Sequence, residues 1–406
     1  MGRRTAALDW SLDNPMPMRP CWVEINTQSF EENYRFLKTL AGDAELLAVV
    51  KSDAYGHSLE LCAPAAVRAG AQWLGVTSVE EAVAVRRLCP EARVLVMTGC
   101  FPGEAAAAVE HALTPAVWEP WQFDEIESAS RAAGVGPASV HLEIDTGMSR
   151  QGVSLDELPA ILARFQSGST LRLEGVLTHL YAPDETDGRA TDAQMARLEE
   201  ALEAVAAAGL SAEWLSVGSS AALLNGEAPR ISAMAGRWGM KAMIRPGLAL
   251  YGVAPEFEPN EPPAVAAARV GLKPVLSWKT SVVGVRTVQA GAVVGYNGTF
   301  VATEPMRLAL LPVGYADGLD RRLGNHFSLL VRGARAPLVG RVSMDLAVLD
   351  VTEIDGVEAG DEVVILGSQG AETISALDHA SATGTIPWEV FTRIAARVAR
   401  KLKAES

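Results

Sequence analysis

Eight short apolar runs, each followed by an amphipathic or small-residue stretch, fill residues 46–252. They lie at 46–51 (LLAVVK), 73–78 (WLGVTS), 93–99 (RVLVMTG), 113–118 (LTPAVW), 139–145 (SVHLEID), 173–180 (LEGVLTHL), 214–220 (WLSVGSS) and 244–252 (IRPGLALYG). Helical patterns such as EEAVAVRRL and DAQMARLEEALEAVAAAGL separate them. Near-continuous apolar runs alternating with helix-period segments indicate parallel strands buried on both faces and joined by crossover helices. Eight βα units predict a (β/α)8 barrel, with a doubly wound open sheet as the alternative that alternation alone leaves open. Ser78-Val79-Glu80-Glu81 and Thr191-Asp192-Ala193-Gln194 read as capping boxes at helix starts. The 220–243 stretch, with Pro229, Gly236 and Gly239, reads as an elaborated connection before strand eight.

From residue 258 the texture changes. Glu258-Pro259-Asn260-Glu261-Pro262-Pro263 is a Pro-rich break. Short β-type runs punctuated by Gly and Asp follow, with little helical pattern until 386–403. This divides the chain into an N-terminal extension (1–20), a barrel (21–257) and a second, mostly β domain (258–406).

A net charge of −14 argues against non-specific binding to nucleic acid or an anionic membrane, so an anionic ligand needs a local pocket. Cys21, Cys62, Cys89 and Cys100 form no CxxC pair and no Cys/His cluster with ligand spacing. They read as reduced thiols in a cytoplasmic protein, with no metal site expected. No signal-type apolar segment and no apolar run long enough to span a bilayer is present.

In a barrel, chemistry gathers at the C-terminal ends of the strands. Lys51 ends strand one, His179 ends strand six, Ser219 and Ser220 end strand seven, and Arg245 and Gly247 lie at strand eight. An apolar run that stops on lysine places an amine where it can form a Schiff base with a carbonyl cofactor, or where it snorkels to solvent. Taken singly, Tyr55 also reads as a turn aromatic, Ser220 as a helix cap, Arg245 as half of an ion pair and Tyr296 as a β-turn aromatic.

The segment VVKSDAYGH (49–57) resembles the cofactor-lysine motif of alanine racemases. IRPGLALYG (244–252), PVGYADG (312–318) and GRVSMD (340–345) resemble three further motifs of that family in the same order, and the likeness runs from about Arg19 to Arg400. It implies a (β/α)8 barrel, a C-terminal β domain, pyridoxal 5'-phosphate as cofactor and a homodimer with shared active sites. Lys51 is then the lysine that binds the cofactor covalently. Tyr55, Ser220, Gly247 and Leu248 are implied at its phosphate, Arg245 at its ring nitrogen, and His179 beside Arg245. Arg150 is implied at both the cofactor and the substrate carboxylate. Tyr315, Met344 and Asp345 are implied substrate contacts. Tyr296 is implied as the second catalytic base, reaching the barrel mouth of the partner subunit. The implied activity supplies D-alanine for the cell wall.

Two positions depart from the family pattern. Many members carry a carbamylated lysine where this chain has Glu143, which supplies a carboxylate outright and is expected to orient Arg150. Some members place a tyrosine at the position of Ala396, so a wider pocket and a broader amino-acid (serine) racemase is the nearest rival. A decarboxylase of the same barrel class is disfavoured by Arg245. A non-catalytic cofactor carrier is disfavoured by the second domain and Tyr296.

Overall fold

The computed structural model describes residues 19–166 and 169–404. The expected 1–20 extension lies outside them, apart from its last two residues. The chain divides into two compact units.

Eight parallel strands of the first unit close into a barrel. In order they are Glu45–Val49, Trp73–Val76, Arg93–Val96, Thr114–Val117, Ala138–Glu143, Leu171–Leu177, Trp214–Ser216 and Lys241–Ile244. The seam is shut by the pairing of Leu46 with Ile244. The open-sheet alternative is thereby excluded. The strands are mostly apolar and buried because helices cover the outside while side chains fill the lumen.

The N-terminal end of the barrel, its foot, is plugged by a polar cluster. Glu174 is buried and paired with Arg93 at 2.7 Å and Arg172 at 2.5 Å. It also accepts the Thr114 hydroxyl at 3.1 Å. The Arg93 guanidinium lies over Trp73, 4.1 Å from the ring centre, and 5.6 Å from that of Trp214. His141 is fully buried beside them, and burial followed by the Arg93 charge pushes it down to about 3, so it is neutral. Its ring fits because residue 175 is glycine. A Cβ there would sit 2.6 Å from the imidazole.

The 220–243 connection is elaborated as expected, into helices Ser220–Leu224 and Ala228–Arg237. Ser78 caps helix Val79–Leu88 by accepting the Glu81 N–H at 3.1 Å. Thr191 does not start a helix. It is buried within helix Arg189–Ala207, and the Gln194 amide turns to Thr146 and to the backbone at His179 and Tyr181. The tertiary contacts outcompete the local box.

The second unit is β-rich. Its larger sheet runs Ala334–Pro337, Ser328–Val331, Glu362–Gln369, Leu276–Ser281, Cys21–Ile25 and Ala399–Leu402, with Glu372–Ile374 paired to Glu362–Gln369. A three-stranded antiparallel sheet and a short hairpin, Val293–Val294 with Phe300–Val301, complete it. The boundary falls at 276/277, not 257/258, and Cys21–Glu24 belongs with this unit. The reason is local: helix Pro263–Gly271 follows the Pro-rich break and returns to the barrel, with Arg269 donating to the carbonyls of Ala254 and Pro255. The helical reading of 386–403 also needs correction. Helices span Ala376–Thr383 and Pro387–Thr392, and Ala399–Leu402 is a strand. The Ser375/Asp378 capping box marks the first of these helices.

All four cysteines are free and buried. Among the described residues no helix is long and apolar enough to cross a membrane.

Candidate functional site

Lys51 is placed by an unusual turn. Strand one is pinned at its end by Val49 N–H to Pro246 O, 3.1 Å, and Val50 N–H to Gly75 O, 2.9 Å. Ser52, Asp53, Ala54 and Tyr55 then all adopt left-handed helical backbone, φ 53–55°. For L-residues this costs about 1–2 kcal/mol each, and it persists only where surrounding contacts over-determine it. Here Asp53 donates its N–H to Glu81 (3.1 Å) and accepts that of Leu59 (2.7 Å). The Tyr55 carbonyl meets buried His57 Nδ1 at 2.9 Å. Tyr251 packs against both Tyr55 and His57, and its hydroxyl reaches back to Val49 O at 2.9 Å. The Lys51 amine has no hydrogen-bond or ion-pair partner among the described residues. Burial, then the Arg150 charge, holds it below the usual lysine range, with Arg245 adding to the effect. A depressed amine pKa raises the neutral, nucleophilic fraction.

Arg245, just past strand eight, is buried and fixed from three sides. It donates to Ser216 Oγ (2.8 Å) and Thr178 O (2.7 Å), and its Nη2 lies 3.2 Å from His179 Nδ1. Burial, then the Arg245 charge, pushes His179 down to about 3. A neutral imidazole that accepts from the guanidinium at Nδ1 carries its proton on Nε2. Arg245 itself is pushed down by burial to about 10 and stays protonated at neutral pH. Behind it runs a relay of polar contacts: Gln194 amide to Thr146 hydroxyl (2.9 Å), Thr146 to Thr178 hydroxyl (2.8 Å), Thr178 to Ile144 O (2.8 Å). Ser216, Thr178, Thr146 and Gln194 were not singled out from sequence. Their only signal is position: three of them sit at or just past strand ends.

Ser220 opens the helix after strand seven. Its Oγ accepts the N–H groups of Gly247 (2.9 Å) and Ala249 (3.2 Å). Gly247 N–H, implied as a phosphate contact, is therefore committed to Ser220 here. A Cβ at position 247 would lie 2.3 Å from the Tyr55 hydroxyl, so only glycine lets that phenol approach. Tyr55, Ser220, Gly247 and Leu248 thus converge on one small-residue cradle, with hydroxyls and backbone amides of the kind that hold a phosphate.

Arg150 lies on the loop after strand five. It is exposed and has no partner among the described residues. Glu143, the last residue of that strand, is buried, and burial pushes its carboxyl up to about 7. Its hydrogen bond goes not to Arg150 but to the Gln151 amide, at 2.5 Å. Of the charge-assisted bond or short network expected to orient Arg150, only the bond from Glu143 to Gln151, the next residue in the loop, is present among the described residues.

In the β-rich unit, Tyr296 sits in the short hairpin between Gly295 and Asn297, both at positive φ, and is 68% exposed. Tyr315 and Met344 are also exposed. Asp345, implied as a substrate contact, instead has its carboxylate engaged by Arg397 (2.7 Å) and Arg19 (3.4 Å). Both arginines also hold buried Asp317, which accepts the Gly314 N–H at 2.9 Å. Ala396 is exposed.

Residues 25–255 match the family model described as alanine racemase, N-terminal domain, and residues 275–402 match the C-terminal domain. The chain is 37% identical over 378 residues to an alanine racemase of Syntrophobacter fumaroxidans, covering 93% of this chain and 96% of that protein. It is 37% identical over 393 residues to one from Sorangium cellulosum, covering 94% and 99%. Among solved structures it resembles the alanine racemase of D-cycloserine-producing Streptomyces lavendulae, with TM-score 0.85, 34% identity and coverage of 96% and 98%. It also resembles the Bartonella henselae enzyme with covalently bound pyridoxal phosphate, with TM-score 0.80, 25% identity and coverage of 95% and 99%.

Proposed function

This chain belongs to the alanine racemase family of isomerases and racemises alanine; on that premise we propose a two-base reaction that uses pyridoxal 5'-phosphate, Lys51 and the Tyr296 of a second copy. The observation that carries the proposal is the unpartnered, half-buried Lys51 amine, set between the unpartnered Arg150 and the fixed Arg245–His179 pair.

The residues present fit the cofactor. Lys51 Nζ is the amine to hold it covalently. The cradle of Tyr55, Ser220, Gly247 and Leu248 suits its phosphate, and it is small enough only because residue 247 has no Cβ. When bound, the group supplies an electron sink for the pair left as the alanine Cα–H bond breaks. The Arg245 guanidinium is a donor that keeps its proton, so a ring nitrogen facing it stays unprotonated and the sink is moderated. Arg150, with no partner of its own, takes the substrate carboxylate. Lys51 Nζ moves the proton on one face of Cα, and Tyr296 Oη moves it on the other. Two faces require two bases, and a phenol with a reference pKa near 10 needs neighbouring cations to work at neutral pH. We assign the product D-alanine to cell-wall synthesis.

Racemisation of alanine by the purified protein with added cofactor is the primary test, with borohydride fixing the cofactor on Lys51. Label on another lysine overturns the site. Tyr296→Phe is expected to lose racemisation while keeping cofactor and exchange of the α-proton of one enantiomer. Mixed Lys51→Ala and Tyr296→Phe chains are expected to recover activity in heterodimers, where one shared site is intact. No recovery in demonstrated heterodimers rejects the shared-site arrangement.

A second reading, broader racemisation that includes serine, is favoured by the bare methyl at exposed Ala396. A kcat/KM for serine within about tenfold of alanine supports it, since one small group is worth roughly that much discrimination.

A further inference from the structure

Lys51 stands between two anchors that belong to one βα unit. Before it, Val50 N–H donates to Gly75 O (2.9 Å) in strand Trp73–Val76. Two residues past it, Asp53 N–H donates to Glu81 Oε1 (3.1 Å) in the helix that follows that strand, Val79–Leu88. Glu81 is itself seated, because its own N–H is the one that Ser78 Oγ accepts at 3.1 Å. Between the anchors the backbone enters its left-handed run at Ser52. Backbone of this kind keeps its geometry only while outside contacts enforce it. Asp53 joins two such contacts: its N–H is held by Glu81, and its carboxylate holds Leu59 N–H (2.7 Å) at the start of helix Leu59–Ala69.

We propose that Glu81 is a positioning residue for Lys51: its carboxylate latches the left-handed turn to the helix after strand two and so fixes where the amine stands. This rests on the reading of Lys51 as the amine that moves the substrate proton. A lysine amine rides on a flexible four-carbon stem, so a fixed backbone is what aims it. A misplacement of about 1 Å at a reacting group can cost about a hundredfold in rate. The same carboxylate has a second effect. Burial first, then the charges of Arg150 after strand five and Arg245 after strand eight, disfavour the ammonium form of Lys51, whereas Glu81 favours it. The neutral His179 after strand six also feels the Lys51 charge. An amine among cations alone is a weak proton acceptor, and a reversible reaction needs one that both takes and returns the proton. Glu81 supplies the opposing charge.

Two variants separate holding from charge. Glu81→Ala removes acceptor and charge together. Glu81→Gln keeps an acceptor oxygen at the same reach and removes only the charge. Both leave the Ser78 cap intact, since it uses the backbone of residue 81. In cofactor-free protein, hydrogen exchange at the Asp53 amide should be about tenfold faster in Glu81→Ala, the scale of one hydrogen bond to a charged group, and closer to wild type in Glu81→Gln. The pH midpoint for acetylation of Lys51 by acetic anhydride, read by peptide mass, should move to lower pH in both variants. In the holoenzyme, kcat for alanine should fall about tenfold in Glu81→Ala with KM little changed, and Glu81→Gln should recover part of the loss. A glutamate that merely supports the fold would shift neither the Lys51 midpoint nor kcat. Wild-type kcat or wild-type Asp53 exchange in Glu81→Ala would overturn the latch. A wild-type Lys51 midpoint in Glu81→Gln would overturn it too, and decides the matter if Glu81→Ala does not fold. Cofactor fixed by borohydride on another lysine would reject the reading of Lys51 and the latch with it, whereas the other failures leave that reading standing.

Discussion

The two ends of the barrel are built from the same parts and use them oppositely. Each holds a buried glutamate, arginines and a neutral histidine. At the foot, Glu174 takes Arg93, Arg172 and Thr114, and Arg93 is also stacked on Trp73. The cations that surround the acid are all spent on it. At the mouth, among the described residues, Glu143 takes only an amide, Arg245 is turned toward Ser216, Thr178 and His179, and Lys51 and Arg150 keep no partner. A closed charge cluster stabilises; an open one waits for a ligand. What distinguishes them is not composition but which charges are left unanswered.

Lys51→Ala is the sharpest way to break this contrast. Racemisation should fall about a thousandfold or more, the scale expected when a nucleophile and proton carrier is removed. The urea midpoint of the cofactor-free protein should hardly move, because Lys51 has no partner among the described residues to strand. A large loss of stability would mean that the mouth is scaffold like the foot.

Glu174→Ala should show the reverse. It leaves Arg93 and Arg172 without their acid and should cost about 2–3 kcal/mol, less than a fully buried pair because both arginines are partly exposed. KM and kcat below the melting range should stay near wild type. Urea unfolding alongside steady-state kinetics checks both halves.

Acid should act on both ends. His141 and His179 are held near 3 in the folded state against an ordinary 6.5. The unfolded chain therefore takes up protons first. The stability each histidine contributes is complete above 6.5 and falls as pH drops toward 3, by up to about 1.4 kcal/mol per pH unit per histidine. Glu143 opposes this. Its folded value of about 7 lies above the ordinary 4.5, so its protonation favours the folded state as pH falls from 7 to 4.5. His141→Phe should flatten the acid limb by one proton's slope, read from urea midpoints at pH 7.5, 6 and 5, and leave activity in place. An unchanged limb would show that His141 is not held neutral.

The smallest effect concerns the turn after Lys51. Ser52 is exposed and left-handed, so Ser52→Gly should relieve strain and raise stability by up to about 1 kcal/mol, less the extra entropy of an unfolded glycine. A thermal melt shows whether the strain is real at this residue.

The barrel was legible because a parallel strand buried on both faces leaves an uninterrupted apolar run, and because Lys51, His179, Ser220 and Arg245 break those runs at the same end. Asp53, Glu81 and Tyr251 jointly force the left-handed turn, yet they are scattered over about 200 residues of sequence, so no local pattern announces it. Gln151 on a loop and Thr178 and Ser216 at strand ends look like ordinary polar residues, and only the fold aims them at Glu143 and Arg245. His141 and Glu174 sit inside strands and gave no sign of a foot cluster. The boundary at 257/258 went wrong because proline marks where a chain turns, not where a core ends. The Thr191–Gln194 box failed because the Gln194 amide found better partners in space than in sequence.

The strand Cys21–Ile25 has one further consequence. Its neighbours in the sheet are Leu276–Ser281 and Ala399–Leu402. The barrel, 25–276, is contiguous and can close while the chain is still being made. At ordinary ribosomal speeds of about 5–20 residues per second, the first strand waits on the order of tens of seconds for its first partner. Through that interval it is a short edge, alternately apolar, with nothing beside it. The order of synthesis thus leaves residues 21–25 without a sheet partner for longer than any strand of the barrel.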